Sequence, residues 1–98
     1  MQNPEGIKIV ERLFEAVYEL KARKLIKSKR KFEERYNIPH GAFGKLENDK
    51  SRDILQLSWL ASLVTDYGVS AGWLLTGRGN MFSTENEVND LPVRPINF

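Results

Sequence analysis

Five positions between 40 and 48 could together bind an acceptor-rich partner: His40, Gly41, Gly44, Lys45 and Asn48. Their spacing of 1, 3, 1 and 3 places them along one face of a helix. His40, Lys45 and Asn48 supply hydrogen-bond donors, and no carboxylate interrupts the stripe. Such a face suits the base edges and phosphate oxygens of a nucleic acid.

The two glycines of this stripe leave two interpretations open. Each glycine costs a helix about 1 kcal/mol relative to alanine, so Gly41 and Gly44 weaken the element that carries them. One interpretation is that the backbone approaches a ligand closely at these positions. The other is a weak helix that is supported by tertiary packing alone.

A basic block precedes the stripe. Residues 21–35 hold eight basic and two acidic side chains, and the basic ones are Lys21, Arg23, Lys24, Lys27, Lys29, Arg30, Lys31 and Arg35. Residues 1–52 carry 13 basic and 8 acidic side chains, whereas residues 53–98 carry 2 and 5. This asymmetry indicates a polyanionic partner, and the alternative is a solvated helix face.

Composition argues against most enzymes and against a metal or other cofactor. The chain has no cysteine and a single histidine, His40, which excludes disulfides, thiolate zinc sites and multi-histidine metal sites. No apolar run exceeds three residues, so no membrane span is expected. The amino terminus lacks the pattern of a secretory signal, and we expect a cytoplasmic protein.

Apolar periodicity predicts an all-α fold of five helices. The first runs from Ile7 to about Ala22, with Pro4 and Gly6 preventing an earlier start. The second covers about residues 28–36, is capped by Ser28, and ends at the Asn37-Ile38-Pro39 turn.

A third helix is predicted at about residues 39–48, starting at Pro39 and burying Ala42, Phe43 and Leu46. Asp53 is expected to cap a fourth helix that Gly68 ends, and Ser70 and Gly77 to bound a fifth. No segment of useful length alternates apolar and polar residues, so no strand is predicted.

The composition changes after Phe82, which divides the chain into a domain of residues 1–82 and a segment of residues 83–98. This segment is acidic at first and then carries Pro92 and Pro95, which indicates an extended tail. It is either a linker to a further domain or an arm that docks on a surface.

Two short helices joined by a tight turn are typical of a helix-turn-helix. Residues 28–50, SKRKFEERYNIPHGAFGKLENDK, resemble the helix-turn-helix of the lambda-repressor/Cro-like (XRE) regulators. Residues 54–82, with their ending WLLTGRGNMF, resemble the two helices that follow in phage-type repressors of that family.

The chain departs from the family pattern at several positions. Lys29 stands where the family has glutamine, Asn37 replaces the turn glycine, and Pro39 replaces the usual cap of the reading helix. Glu33 occupies a position that the family gives to a small residue. We expect Glu33 at the rim between the second and third helices, either widening their angle or pairing with a lysine.

The resemblance implies a sequence-specific regulator of transcription, most often a repressor, that binds double-stranded DNA at a palindromic operator. His40, Gly41, Gly44 and Lys45 would then face base edges, with Lys45 the best candidate for guanine, and Lys29, Asn48 and Lys50 would contact phosphate. A homodimer is expected, with a missing C-terminal domain as a further possibility. The candidate dimer contacts are Trp73, Leu74, Met81 and Phe82.

The alternative is a protein-interaction module, such as an antitoxin or adaptor, built on the same helical fold. Glu33 and the two glycines of the third helix are the features that favour it.

Overall fold

The computed structural model describes residues 3–82, which fold into five helices. These are α1 (Pro4–Ala22), α2 (Lys29–Arg35), α3 (Ala42–Asn48), α4 (Leu57–Tyr67) and α5 (Ala71–Thr76). Within residues 3–82 the only strand-like pairing is an isolated antiparallel bridge between Val69 and Phe82. The all-α prediction is confirmed for this part of the chain.

Helix α1 begins earlier than expected, at Pro4 instead of Ile7. The side chain of Asn3 accepts a hydrogen bond from the backbone N–H of Gly6 at 2.8 Å and so caps the helix. Pro4 is compatible with this start because the first turn of a helix needs no N–H donor there. The prediction that Pro4 and Gly6 would delay the helix is therefore wrong.

Helix α2 follows the sequence pattern closely. Ser28 Oγ accepts from the backbone N–H of Lys31 at 3.1 Å, which is the expected cap. Asn37 has a φ of +56°, the left-handed conformation that ends the helix. The hydroxyl of Tyr36, at the end of α2, donates to Asp66 of α4 at 2.6 Å and ties these helices together.

Two helices begin later than predicted. Helix α3 starts at Ala42 and not at Pro39, because Gly41 takes a left-handed φ of +84° as the N-cap. Helix α4 starts at Leu57, and Asp53 does not cap it; Gln56 is its N-cap, without a side-chain hydrogen bond.

The ends of the later helices agree with the prediction. Gly68 and Gly77 end α4 and α5 in the left-handed conformation, with φ of +73° and +80°. Ser70 caps α5 by accepting from the backbone N–H of Trp73 at 3.2 Å.

The core is organised around α1, which packs against α2 and α5. Six residues of α1 are buried: Val10, Leu13, Phe14, Ala16, Val17 and Leu20. Arg12, on the flank of the same helix, donates through Nε to the carbonyl oxygen of Leu74 at 2.7 Å. This bond satisfies a carbonyl at the end of α5 and fixes α5 against α1. Among residues 3–82, no helix is long and apolar enough to cross a membrane.

Candidate nucleic-acid interface

The aromatic side chain of Phe43 packs α3 against the rest of the domain. Its ring lies 5.4 Å from that of Phe14, 5.7 Å from that of Phe32 and 5.7 Å from that of Trp59, measured between centroids. These three rings belong to α1, α2 and α4, so Phe43 anchors α3 to each of them. Ala42 and Leu46 are buried on the same side.

Glu33 supplies the N-terminal cap that α3 lacks in its own sequence. Gly41 has no side chain to cap the helix, and the carboxylate of Glu33 accepts from the backbone N–H of Phe43 at 2.8 Å. Glu33 is only 5% exposed, and a carboxylate at this helix end also complements the helix dipole. The expected position of Glu33 at the rim is wrong, because its side chain is buried between the helices, and its bond is to a backbone amide and not to a lysine.

The outward side of α3 is polar and free of carboxylates. Gly44, Lys45 and Asn48 are all exposed, and they lie opposite the buried Ala42, Phe43 and Leu46. A Cβ atom placed on Gly44 would meet no atom within 4 Å. The packing of the domain therefore does not require glycine at this position.

The other two members of the stripe lie before α3. His40 is exposed in the turn that follows Pro39, and Gly41 is the half-buried N-cap. The stripe predicted on a helix starting at Pro39 is thus split, with two members on the turn and three on the helix. His40 and Lys45 still line one cleft, together with residues 53–56.

The one acidic residue of α3, Glu47, is bound to Lys29 and Tyr18. Lys29 Nζ lies 2.6 Å from Glu47 Oε1 and 2.9 Å from Tyr18 Oη, and the Tyr18 hydroxyl donates to the other Glu47 oxygen. These hydrogen bonds raise the pKa of Lys29, and the Lys29 ammonium holds the pKa of Glu47 below its ordinary value. The negative charge on α3 is therefore compensated within the domain.

This network changes what Lys29 can do. The family resemblance predicts that Lys29 contacts a DNA phosphate. In the structure its ammonium instead links α2 to α1 and α3. Lys50, the other predicted phosphate contact, is half-buried, and its Nζ donates to the backbone carbonyl of Glu47 at 3.1 Å. A lysine at this helix end is favourable because the free carbonyls carry partial negative charge.

The predicted dimer contacts fall into two groups. Trp73 and Leu74 are buried within the chain, 8% and 1% exposed, so they offer little surface to a second copy. Met81 and Phe82 are half-buried, and the guanidinium of Arg23 lies 4.2 Å from the centroid of the Phe82 ring.

Two exposed leucines lie on α4 and α5. Leu57 is 80% exposed and Leu75 is 49% exposed. They line an apolar groove together with Leu60, Ala61, Val64, Thr65, Ala71 and Leu74. We call this surface the α4–α5 groove.

Two features of the site were not predicted from the sequence: the cap formed by Glu33 and the network of Lys29, Glu47 and Tyr18. A partial signal existed for the cap, since a glycine N-cap leaves helix amides without a side-chain acceptor. No local signal indicated the network, because its members lie on three different helices. The predicted tail, residues 83–98, lies outside the described residues.

Comparison with known proteins does not place the chain in a family. No protein-family model matches the chain, and no curated protein and no solved structure is significantly similar to it. In the described part of the chain, no three His, Cys, Asp or Glu residues are grouped so that they could hold a metal ion.

Proposed function

We propose that this chain is a sequence-specific regulator of transcription of the lambda-repressor/Cro-like (XRE) type that binds double-stranded DNA. The observation that supports it best is the outward side of α3. Gly44, Lys45 and Asn48 are exposed together on a short helix whose only carboxylate is held by Lys29 and Tyr18. A helix of this kind can enter the major groove, where base edges present acceptors.

Each residue of the interface has a distinct role in this proposal. Lys45 donates to a base edge, with guanine O6 and N7 as the best acceptors, and His40 reaches the neighbouring base from the turn. Gly44 lets the backbone of α3 approach the DNA, as Gly41 does at the start of the helix. Asn48 and Lys50 donate to phosphate oxygens beyond the last turn.

Lys29 acts mainly by positioning α3 in this scheme. Its bonds to Glu47 and Tyr18 hold the helix that reads the DNA, and a phosphate contact would require Lys29 to exchange these partners. The exposed cations of the basic block, such as Arg30, supply sequence-independent affinity for the phosphate backbone.

A homodimer on a palindromic operator completes the proposal. A single domain of this size buries little DNA, and two copies would read half-sites about 34 Å apart or a multiple of that distance. The α4–α5 groove is the surface that favours self-association, because Leu57 and Leu75 leave a contiguous apolar area in water. Of the predicted dimer contacts, Leu74 lines this groove and Trp73 does not.

The test is fluorescence anisotropy with a duplex from upstream of the gene and a scrambled duplex, each at two salt concentrations. We expect selective binding to the first duplex. Lys45→Ala should weaken that binding by about 1–3 kcal/mol and reduce the selectivity. The matched control is Lys8→Ala, which removes an exposed lysine from α1 and should change affinity only slightly.

The same experiment decides between DNA and a protein partner. Equal, strongly salt-dependent binding to both duplexes would indicate a binder of the phosphate backbone alone. No binding to either duplex by a folded, dimeric protein would favour the protein-interaction module. The α4–α5 groove is the observation that favours this second candidate, since an exposed apolar area also fits a different protein.

A further inference from the structure

A second groove lies beside α2, away from the interface on α3. Its floor is apolar and its rim is basic. It is lined by Leu25, Ile26, Lys27, Lys31, Phe32, Arg35 and Tyr67, and we call it the α2 groove. The exposed cations on its rim, Lys27, Lys31 and Arg35, follow one another at intervals of four residues. A partner that fits this surface must combine carboxylates with apolar side chains.

The described chain ends next to this groove. The backbone N–H of Ser70 donates to the carbonyl of Met81 at 2.8 Å, and Val69 forms the bridge to Phe82. Arg23 lies over the Phe82 ring, with 4.2 Å between the guanidinium carbon and the ring centroid. Phe82, the last described residue, therefore contacts Arg23. Arg23 precedes Leu25 of the groove by two positions in the sequence.

The next part of the sequence has the composition that the α2 groove needs. Residues 85–91 read ENEVNDL, with acidic Glu85, Glu87 and Asp90 and apolar Val88 and Leu91. No basic residue occurs in this segment. An extended chain covers about 3.3–3.6 Å per residue, so two or three residues after Phe82 are enough to span the step from Arg23 to Leu25.

We propose that residues 85–91 of the same chain bind the α2 groove, with their carboxylates on the basic rim and Val88 and Leu91 on the apolar floor. The occupant is intramolecular because the short connection gives it a high effective concentration at the groove. Individual exposed ion pairs contribute little, so the contact is reversible and sensitive to salt. When bound, the segment reduces the positive potential of the basic block and so lowers its attraction for polyanions.

The test uses a spin label on the full chain. Because the sequence has no cysteine, Asn89→Cys gives a single labelling site. We expect the label to broaden the amide resonances of residues 25–35 most strongly. Broadening centred on the α4–α5 groove, or no localised broadening in residues 3–82, would overturn the proposal.

A charge exchange tests the recognition itself. In the labelled chain, Lys27→Glu with Lys31→Glu should abolish the broadening, and adding Glu85→Lys with Glu87→Lys should restore it. Both lysines are exposed, so the fold should tolerate these changes, and unchanged amide shifts in α1 and α4 would verify that. The control pair Lys8→Glu with Lys45→Glu changes the net charge by the same amount but lies outside the α2 groove, so it should leave the broadening intact. The proposal would be contradicted if both pairs of substitutions reduced the broadening equally. It would also be contradicted if the broadening did not return in the chain with the exchanged charges.

Discussion

Replacing Glu33 by alanine should destabilise the domain through the loss of one buried hydrogen bond. The carboxylate is 5% exposed and accepts from the Phe43 amide at 2.8 Å. A hydrogen bond to a charged group contributes about 1.5–3 kcal/mol, and a helix cap about 0.5–2 kcal/mol. Since these describe the same bond, the two values do not add, and we expect a loss of about 1.5–3 kcal/mol, increased slightly by the cavity left behind.

The assay is urea denaturation followed by far-UV circular dichroism, together with thermal unfolding. For a domain of this size, a loss of 1 kcal/mol lowers the Tm by roughly 4–8 °C, so Glu33→Ala should lower it by at least about 6 °C. Glu33→Gln retains an acceptor oxygen and should lose less than half as much.

The matched control is Glu34→Ala. Glu34 is the next residue of α2, is exposed, and pairs with Arg30 and Lys31 at 3.6 and 3.5 Å. Exposed pairs of this kind contribute about 0.2–1 kcal/mol, so its removal should cost little. Equal losses for Glu33→Ala and Glu34→Ala would refute the assignment of Glu33 as the cap of α3.

Three further predictions concern Gly44, Glu47 and Gly77. Gly44→Ala should raise the free energy of unfolding by about 0.5–1 kcal/mol, because open space surrounds a Cβ there, yet weaken operator binding in the anisotropy assay. Unchanged or tighter binding would show that the backbone does not approach DNA at this position. Glu47→Gln should cost up to about 1 kcal/mol at neutral pH. Folding lowers the pKa of Glu47, so its stabilisation is complete above the unfolded carboxyl value of about 4.3 and is lost as the pH falls through the lower folded value. Denaturant titrations of the wild type and Glu47→Gln should therefore converge in acid, and a constant difference would exclude the ionised pair with Lys29. Gly77→Ala should destabilise by about 1 kcal/mol because its φ is +80°, whereas Gly72→Ala, inside α5, should be neutral or stabilising by thermal unfolding.

The features that could be predicted from the sequence are those decided by neighbouring residues. Ser28 and Ser70 cap their helices as expected, because a capping side chain reaches an amide only two or three residues away. Gly68 and Gly77 end theirs because a left-handed residue stops a helix whatever surrounds it. The buried Ala42, Phe43 and Leu46 follow from helical spacing in the same way.

The errors concern features that depend on distant parts of the chain. Proline is found both in turns and in the first turn of a helix, so Pro39 alone did not determine where α3 begins. The bond from Glu33 to Phe43 spans ten residues and depends on how α2 crosses α3. The burial of Trp73 and Leu74, the predicted dimer contacts, could not be foreseen either, because apolar character alone does not show which neighbour covers a side chain.

For the candidate interface, the sequence predicted which residues are exposed on α3 but not which side chains bind one another. Lys45, Gly44 and Asn48 share an exposed face as the spacing predicted. The partners of Lys29 could not be foreseen, since Tyr18 and Glu47 lie on helices whose packing the sequence pattern does not specify.

The cap supplied by Glu33 has a consequence for engineering. The contacts that hold α3 in place come from its inner side, from α2 and from the bond of Tyr18 to Glu47, so its exposed residues carry none of them. Gly44, Lys45 and Asn48 can therefore be randomised together while the domain keeps its fold. The chain is in this respect a scaffold for selecting new binding specificities, in which the selected surface and the residues that maintain stability are separate sets.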